Sequence, residues 1–325
     1  MAAIELSNTR KNKSIVDRLL SLRIALVKIF SSLFMALGGG TVGREGPTIQ
    51  IAASIFKIIY QVLPGRRPKI TKQNMLITGA AAGLAATFNT PLGGIVFAIE
   101  GLTRTHFSYF RTAIFSSVII AGLAVEAMLG PYLYLGYPNL NDLSSYVFYG
   151  VALVALISGL LGSCMAKLIR FIFAWKSKIK LSGHQVLYVV VCSLIVISLA
   201  CFVDREILGS GKDVMQKTLF TSAKYVHWYT PILRISGLVF SFTTGAAGGI
   251  FAPSMSVGAS VGSLVASWFN FSAGDTNMLI LSGMVGFLTG STRSPFTSII
   301  IVLEMTDRRA SAGIETREHI EPVKI

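Results

Sequence analysis

The residues best placed to do chemistry form one short run, Gly43-Arg44-Glu45-Gly46-Pro47, preceded by Gly38-Gly39-Gly40-Thr41-Val42 and followed by Thr48. Five glycines and a proline interrupt an otherwise apolar, helix-like stretch, and a carboxylate sits at the interruption. Glycine lets backbone approach closely, and Pro47 suits the first turn of a new helix. The first N–H groups of such a helix lack partners and its dipole adds positive potential, so an anion is favoured there. Glu45 is itself an anion. The run reads either as an anion site carrying its own titratable occupant or as a loop in which Glu45 caps the second helix. Ten residues do not separate the two.

Other spacings that could do chemistry do not support it. Gly258-Ala259-Ser260-Val261-Gly262 fits the pattern of a hydrolase nucleophile, but that motif needs a strand-turn-helix elbow, and this one lies in an apolar helix. Its small residues four apart, like Gly79/Gly83 and Gly286/Gly290, suit close helix packing. Gly209-Ser210-Gly211-Lys212 superficially resembles a phosphate loop, yet Glu206 stands where the upstream glycine belongs and Asp213 where Ser or Thr belongs. His106, His184, His227 and His319 have no metal-ligand spacing, and Cys164, Cys192 and Cys201 fall in apolar runs as buried structural thiols. No enzyme activity, metal or cofactor is expected.

The elements that must position Glu45 are membrane helices. Of 325 residues, 52% are hydrophobic and 14% charged, with mean hydropathy +0.64. Soluble domains carry roughly 25% charged residues, and a membrane barrel would alternate where this chain has long apolar runs. The fold class is therefore all-α, a polytopic helical bundle in a lipid bilayer, and a multi-pass protein of the plasma (inner) membrane is expected. Residues 1–14 are polar and show no cleavable signal. The net charge of +14 sits mostly in short loops, as cytoplasmic loops of membrane proteins require, and implies no nucleic-acid partner.

Full-length spans are expected at 112–130, 146–166, 186–203 and 228–246. Shorter pieces, interrupted by Gly and Pro, lie at 48–63, 75–88, 91–100, 254–270, 277–290 and 295–304, and such segments point to broken, re-entrant helices lining a substrate site. Loops 102–111 and 167–183 carry only basic charge, which places them inside and 131–145 outside. Residues 305–325 read as a polar tail, leaving 1–304 as the transmembrane domain.

Within that domain the chain repeats. Gly43-x-x-x-Pro47 returns as Gly249-x-x-x-Pro253, and Asn74-Met75-Leu76-Ile77 as Asn277-Met278-Leu279-Ile280. Pro91 precedes Glu100 by nine positions, and Pro295 precedes Glu304 by nine. Two halves, about 15–130 and 146–304, with an odd number of spans between the copies, would be inverted repeats. Their broken helices would then aim both N-termini at one point near the midplane, a geometry suited to an anion. Glu100 and Glu304 each end an apolar run, where a carboxylate in lipid costs about 2.5–3.5 kcal/mol. Glu100, with Arg104 one turn on, stands open between a structural ion pair and a proton path.

With both breaks in view, the chain resembles the CLC family of voltage-gated chloride channels and proton/chloride exchangers. The matching residues are Gly43-Arg44-Glu45-Gly46-Pro47, Gly249-Ile250-Phe251-Ala252-Pro253, and the runs PLGGIVFAIE and SPFTSIIIVLEMTD. The resemblance implies chloride transport or antiport, a homodimer with an anion path in each subunit, and chloride, with protons in exchangers, as the cargo. By position it makes Glu45 the gating carboxylate. It gives the central chloride to the amides of Ile250 and Phe251 and the outer one to those around Arg44 and Gly46. Exchangers of the family carry a proton-relaying glutamate directly after the position of Glu100, and here that residue is Gly101. The family's chloride-binding serine and tyrosine belong to segments before and after this chain, and Gly209-Ser210-Gly211 looks like a structural echo of the serine motif. The competing expectation is a non-conducting fragment or a subunit that only dimerises.

Overall fold

The computed structural model describes residues 19–62, 71–102, 111–130, 133–140, 143–179, 182–222, 224–269 and 271–306. These form twelve α-helices: α1 Leu22–Leu37, α2 Glu45–Val62, α3 Lys72–Phe88, α4 Pro91–Phe97, α5 Arg111–Leu129, α6 Val147–Lys176, α7 Ser182–Phe202, α8 Lys212–Phe220, α9 Thr230–Thr243, α10 Phe251–Phe269, α11 Ala273–Thr292 and α12 Pro295–Thr306. A π-helical turn, Ala98–Leu102, extends α4, and a short 3₁₀ turn, Arg205–Ile207, precedes α8. The all-α class follows, with short broken helices among long ones.

Among the described residues three helices are long and apolar enough to cross a bilayer: Thr112–Leu129, Val147–Lys176 and Gly183–Phe202. The expected span at 228–246 is corrected. Its helix, α9, has 14 residues, roughly 21 Å at 1.5 Å per residue, against a hydrocarbon core of about 30 Å. The helix gives way at Thr243 because Gly245 takes φ +88°, turning the chain toward the second glycine break. The span at 146–166 is corrected in the other direction. α6 runs on to Lys176, so Lys167, Arg170 and Lys176 sit on its last turns. Lys and Arg are good helix formers, and cations suit a helix C-terminus. The polar tail also starts later than expected, since Met305 and Thr306 belong to α12 and are buried. Residues 307–325, Arg104, Asp142, His106 and His319 lie outside the described residues.

The interior is packed by small residues. A Cβ on Gly258 would meet the backbone of Gly283, one on Gly262 that of Leu279, and one on Gly290 that of Gly159. Ser260 is buried in α10 and donates to the carbonyls of Ser256 and Val257, so it serves the helix rather than any nucleophilic chemistry. Of the three cysteines Cys192 is buried, while Cys164 and Cys201 are exposed on the helix surface, correcting the expectation of three buried thiols. An apolar cysteine on a membrane helix is at ease facing lipid, which composition cannot distinguish from a core.

The repeat extends to geometry that no motif announced. α3 ends at Asn89 and α11 at Arg293, each left-handed (φ 56° and 62°) and each two residues before the proline that opens the next helix. Those next helices, α4 and α12, exchange carboxylates. Glu304 accepts from the N–H groups of Leu92 (3.1 Å) and Gly93 (2.7 Å) at the start of α4. Glu100 accepts from the N–H groups of Phe296 (3.2 Å) and Thr297 (2.7 Å) and from the Thr297 hydroxyl (2.7 Å) at the start of α12. Each acid therefore satisfies two orphan donors and complements the dipole of the opposite repeat's helix. Glu304→Gln, which keeps the shape and removes the charge, is expected to cost about 1–3 kcal/mol of stability. Thermal unfolding in detergent checks this, and Glu100→Gln, at a less buried site, should cost less.

Candidate functional site

The two glycine breaks meet. Gly43 N–H donates to the Gly249 carbonyl at 2.9 Å, and Gly249 N–H to the Gly43 carbonyl at 2.6 Å, an isolated antiparallel bridge between the repeats. Glu45 then opens α2 and Phe251 opens α10, two residues beyond the bridge in each copy. Both N-termini thus face one region with the same offset, and Pro47 and Pro253 both fall at the third helical position, where a missing N–H costs nothing. A Cβ on Gly43 or Gly249 would overlap the Glu45 carboxylate, and one on Gly46 would strike the Gly248 carbonyl. Close approach, more than turning, is what requires glycine here.

Glu45 is 1% exposed. Its Oε1 accepts from the Ala252 N–H at 2.5 Å, in the first turn of the other repeat's helix. Its Oε2 is buried and has no hydrogen-bond partner among the described residues. The carboxylate therefore sits where a free anion would collect the α10 amides, and it is only half satisfied by protein. Such a group is held weakly for its charge, because a buried unpaired oxygen forfeits solvation without compensation.

Glu45 also lies between two cavities and lines both. The first, about 540 Å³, is bounded by Arg44, Gly43, Ala252, Tyr134, Ser210 and Lys212 among others. The second, about 350 Å³, is bounded by Gly46, Pro47, Gly249, Ile250, Phe251 and Lys28 among others. The expected chloride residues accordingly divide: Gly46, Ile250 and Phe251 line the second cavity and Arg44 the first. Arg44 donates to the Thr87 carbonyl at 3.3 Å and stands over the Tyr134 ring at 5.9 Å. Glu100 lines neither cavity, and its carboxylate is engaged at the start of α12.

Several residues escaped the sequence reading. Ala252 could have been found by counting to the second residue of α10, since the first N–H groups of a helix are the unpartnered ones. Lys28 and Arg234 carry a stronger signal: they are 206 positions apart, the same interval as Pro47 and Pro253. Arg234 is fully buried and donates to the carbonyls of Glu206 (2.9 Å), Ile207 (3.1 Å), Leu208 (3.0 Å) and Gly209 (3.3 Å), and to the Ser256 hydroxyl (2.8 Å). Tyr134 and Lys212, from distant segments, had no sequence signal.

The family profile described as voltage gated chloride channel matches residues 2–312. The chain belongs to that family. It is 31% identical over 298 residues to the H(+)/Cl(-) exchange transporter ClcA of Cronobacter sakazakii (strain ATCC BAA-894), a match covering 88% of this chain and 62% of that relative. The chain thus spans less than two thirds of the relative's length. Among solved structures it resembles a CLC-type fluoride/proton antiporter (TM-score 0.78, 20% identity, 94% of this chain and 74% of that one). It also resembles a slow cyanobacterial Cl-/H+ antiporter (TM-score 0.74, 20% identity, 87% and 68%) and a eukaryotic CLC transporter (TM-score 0.70, 20% identity, 92% and 52%). The fold is therefore the family's own, embedded in a membrane.

Proposed function

We propose that this chain moves chloride across a membrane by a CLC-type path, with Glu45 as its gate. The observation that carries the reading is the place of Glu45, a half-satisfied carboxylate on the α10 amides with a cavity on either side. Chloride entering from either cavity competes with Glu45 for the same N–H groups. The amides of Ile250 and Phe251 take the central ion, and those around Arg44 and Gly46 the outer one. Gly101 offers no proton acceptor at the position where the family's exchangers carry a relaying glutamate, which favours passive chloride movement over proton-coupled exchange. The protein would work as a homodimer in the plasma (inner) membrane, with one path per subunit.

Reconstitution tests this. Liposomes containing the chain and loaded with chloride should release it above the rate of empty liposomes, and a pH electrode should record no coupled proton uptake. Proton uptake in fixed ratio to chloride would establish exchange instead. No release at all would leave the chain as a non-conducting or purely dimerising subunit.

A further inference from the structure

The cavity on the Arg44 side of Glu45 has a feature that gating does not use. Two cations converge on one aromatic ring there. The Lys212 ammonium lies 4.9 Å from the Tyr134 ring centroid, and the Arg44 guanidinium 5.9 Å from the same centroid. Tyr134 is itself 4% exposed and pinned edge-on against Phe88, with ring centroids 5.2 Å apart. The ring is thus a fixed post, and both cations are held beside it by cation–π attraction. Among the described residues no carboxylate or carbonyl takes the Lys212 protons, and Arg44 spends one donor on the Thr87 carbonyl. Two like charges brought to one ring repel each other, so an anion drawn between them is favoured.

The surroundings supply the rest of a binding site. Ser210 lines the same cavity, and Lys212 opens α8, whose N-terminal dipole adds to the positive potential. The Glu45 carboxylate borders the space on the other side and, while charged, repels a captured anion from the α10 amides. Asp213 follows Lys212 and is exposed. At about 540 Å³ the cavity is far larger than a chloride ion, so it can hold a hydrated anion without stripping its water. Tyr134 belongs to the 131–145 segment, which the distribution of basic loops places outside.

We infer that Lys212, Arg44 and Ser210 form an outer capture site for a small hydrated monovalent anion, with Lys212 setting how readily chloride reaches the Glu45 gate. This rests on the transport reading above. A cationic mouth raises the local anion concentration and hence the entry rate, and salt screens the effect. Ions captured there wait until Glu45 leaves the α10 amides.

The test compares wild type with Lys212→Gln and Lys212→Arg, reconstituted with known orientation and exposed to external chloride at low ionic strength. Lys212→Gln should raise the apparent KM for external chloride about three- to tenfold, more than it lowers the maximal rate, and the difference should shrink in high salt. Lys212→Arg should behave like wild type. A Lys212→Gln chain with wild-type KM at low ionic strength overturns the inference while leaving transport intact. Chloride titration of the purified proteins by calorimetry supplies the second arm. A weaker chloride affinity in Lys212→Gln, in a chain that passes no chloride, upholds the capture site and defeats the transport reading. Equal affinities in all three proteins defeat the capture site.

Discussion

Arg234→Met is expected to lose about 3–5 kcal/mol of stability, because several buried acceptors lose a charged donor at about 1–3 kcal/mol each. The side chain is 0% exposed and holds four consecutive carbonyls, Glu206 to Gly209, together with the Ser256 hydroxyl on α10. Methionine fills much of the volume but donates nothing, so those carbonyls would stay buried without the donor they now have. The damage would reach the site. Ile207 accepts from the Thr41 hydroxyl at 2.6 Å, and Gly209 N–H donates to the Gly39 carbonyl at 3.0 Å, so the 206–209 segment braces the first glycine break. Lower thermal stability in detergent together with reduced chloride flux is the expected pair of results. Arg234→Lys should recover only part of the stability, because an ammonium has three donors and cannot reach in a fork. Wild-type stability in Arg234→Met would mean that water can satisfy the 206–209 carbonyls.

How much of this was legible in the sequence differs from element to element. The glycine breaks were, because Gly43 to Pro47 and Gly249 to Pro253 combine residues that ordinary helices exclude, twice, at one interval. Membrane character was also plain from composition. The lengths of α6 and α9 were not: Lys167 and Arg170 continue a helix as well as they line a loop, and a turn at Gly245 is invisible inside an apolar run. Glu100 shows a different limit. Its sequence context leaves it open between a structural ion pair and a proton path, and the structure adds a cap across the pseudo-symmetry on the N–H groups of Phe296 and Thr297. The sequence held the clue, since Glu304 lies at the matching position, but a reciprocal cap requires knowing that α4 and α12 run past each other. Lys212 and Tyr134 were out of reach altogether. They come from segments nearly eighty residues apart and meet only through tertiary packing.

Glu45→Gln is expected to raise chloride flux at neutral pH by about tenfold and to remove its dependence on pH. The effect originates at the Ala252 N–H, which now serves the Glu45 carboxylate. A hydrogen bond to a charged group contributes about 1.5–3 kcal/mol and a neutral one about 0.5–1.5, so chloride displaces an amide more easily by roughly 1.4 kcal/mol, or a factor of ten. The direction of the pH effect follows from the same competition. In wild type, acid protonates Glu45, removes its charge and weakens its hold on the α10 amides, so flux rises as pH falls. In Glu45→Gln there is nothing to protonate, and flux should be high and flat across the same range. Removing the charge of a buried, half-satisfied carboxylate relieves its desolvation and offsets the weaker bond from Ala252, so thermal stability should change little. A Glu45→Gln protein whose flux still climbs with acid would place the gate elsewhere. One whose flux falls while its stability holds would make Glu45 a part of the path that chloride needs, not the group that closes it.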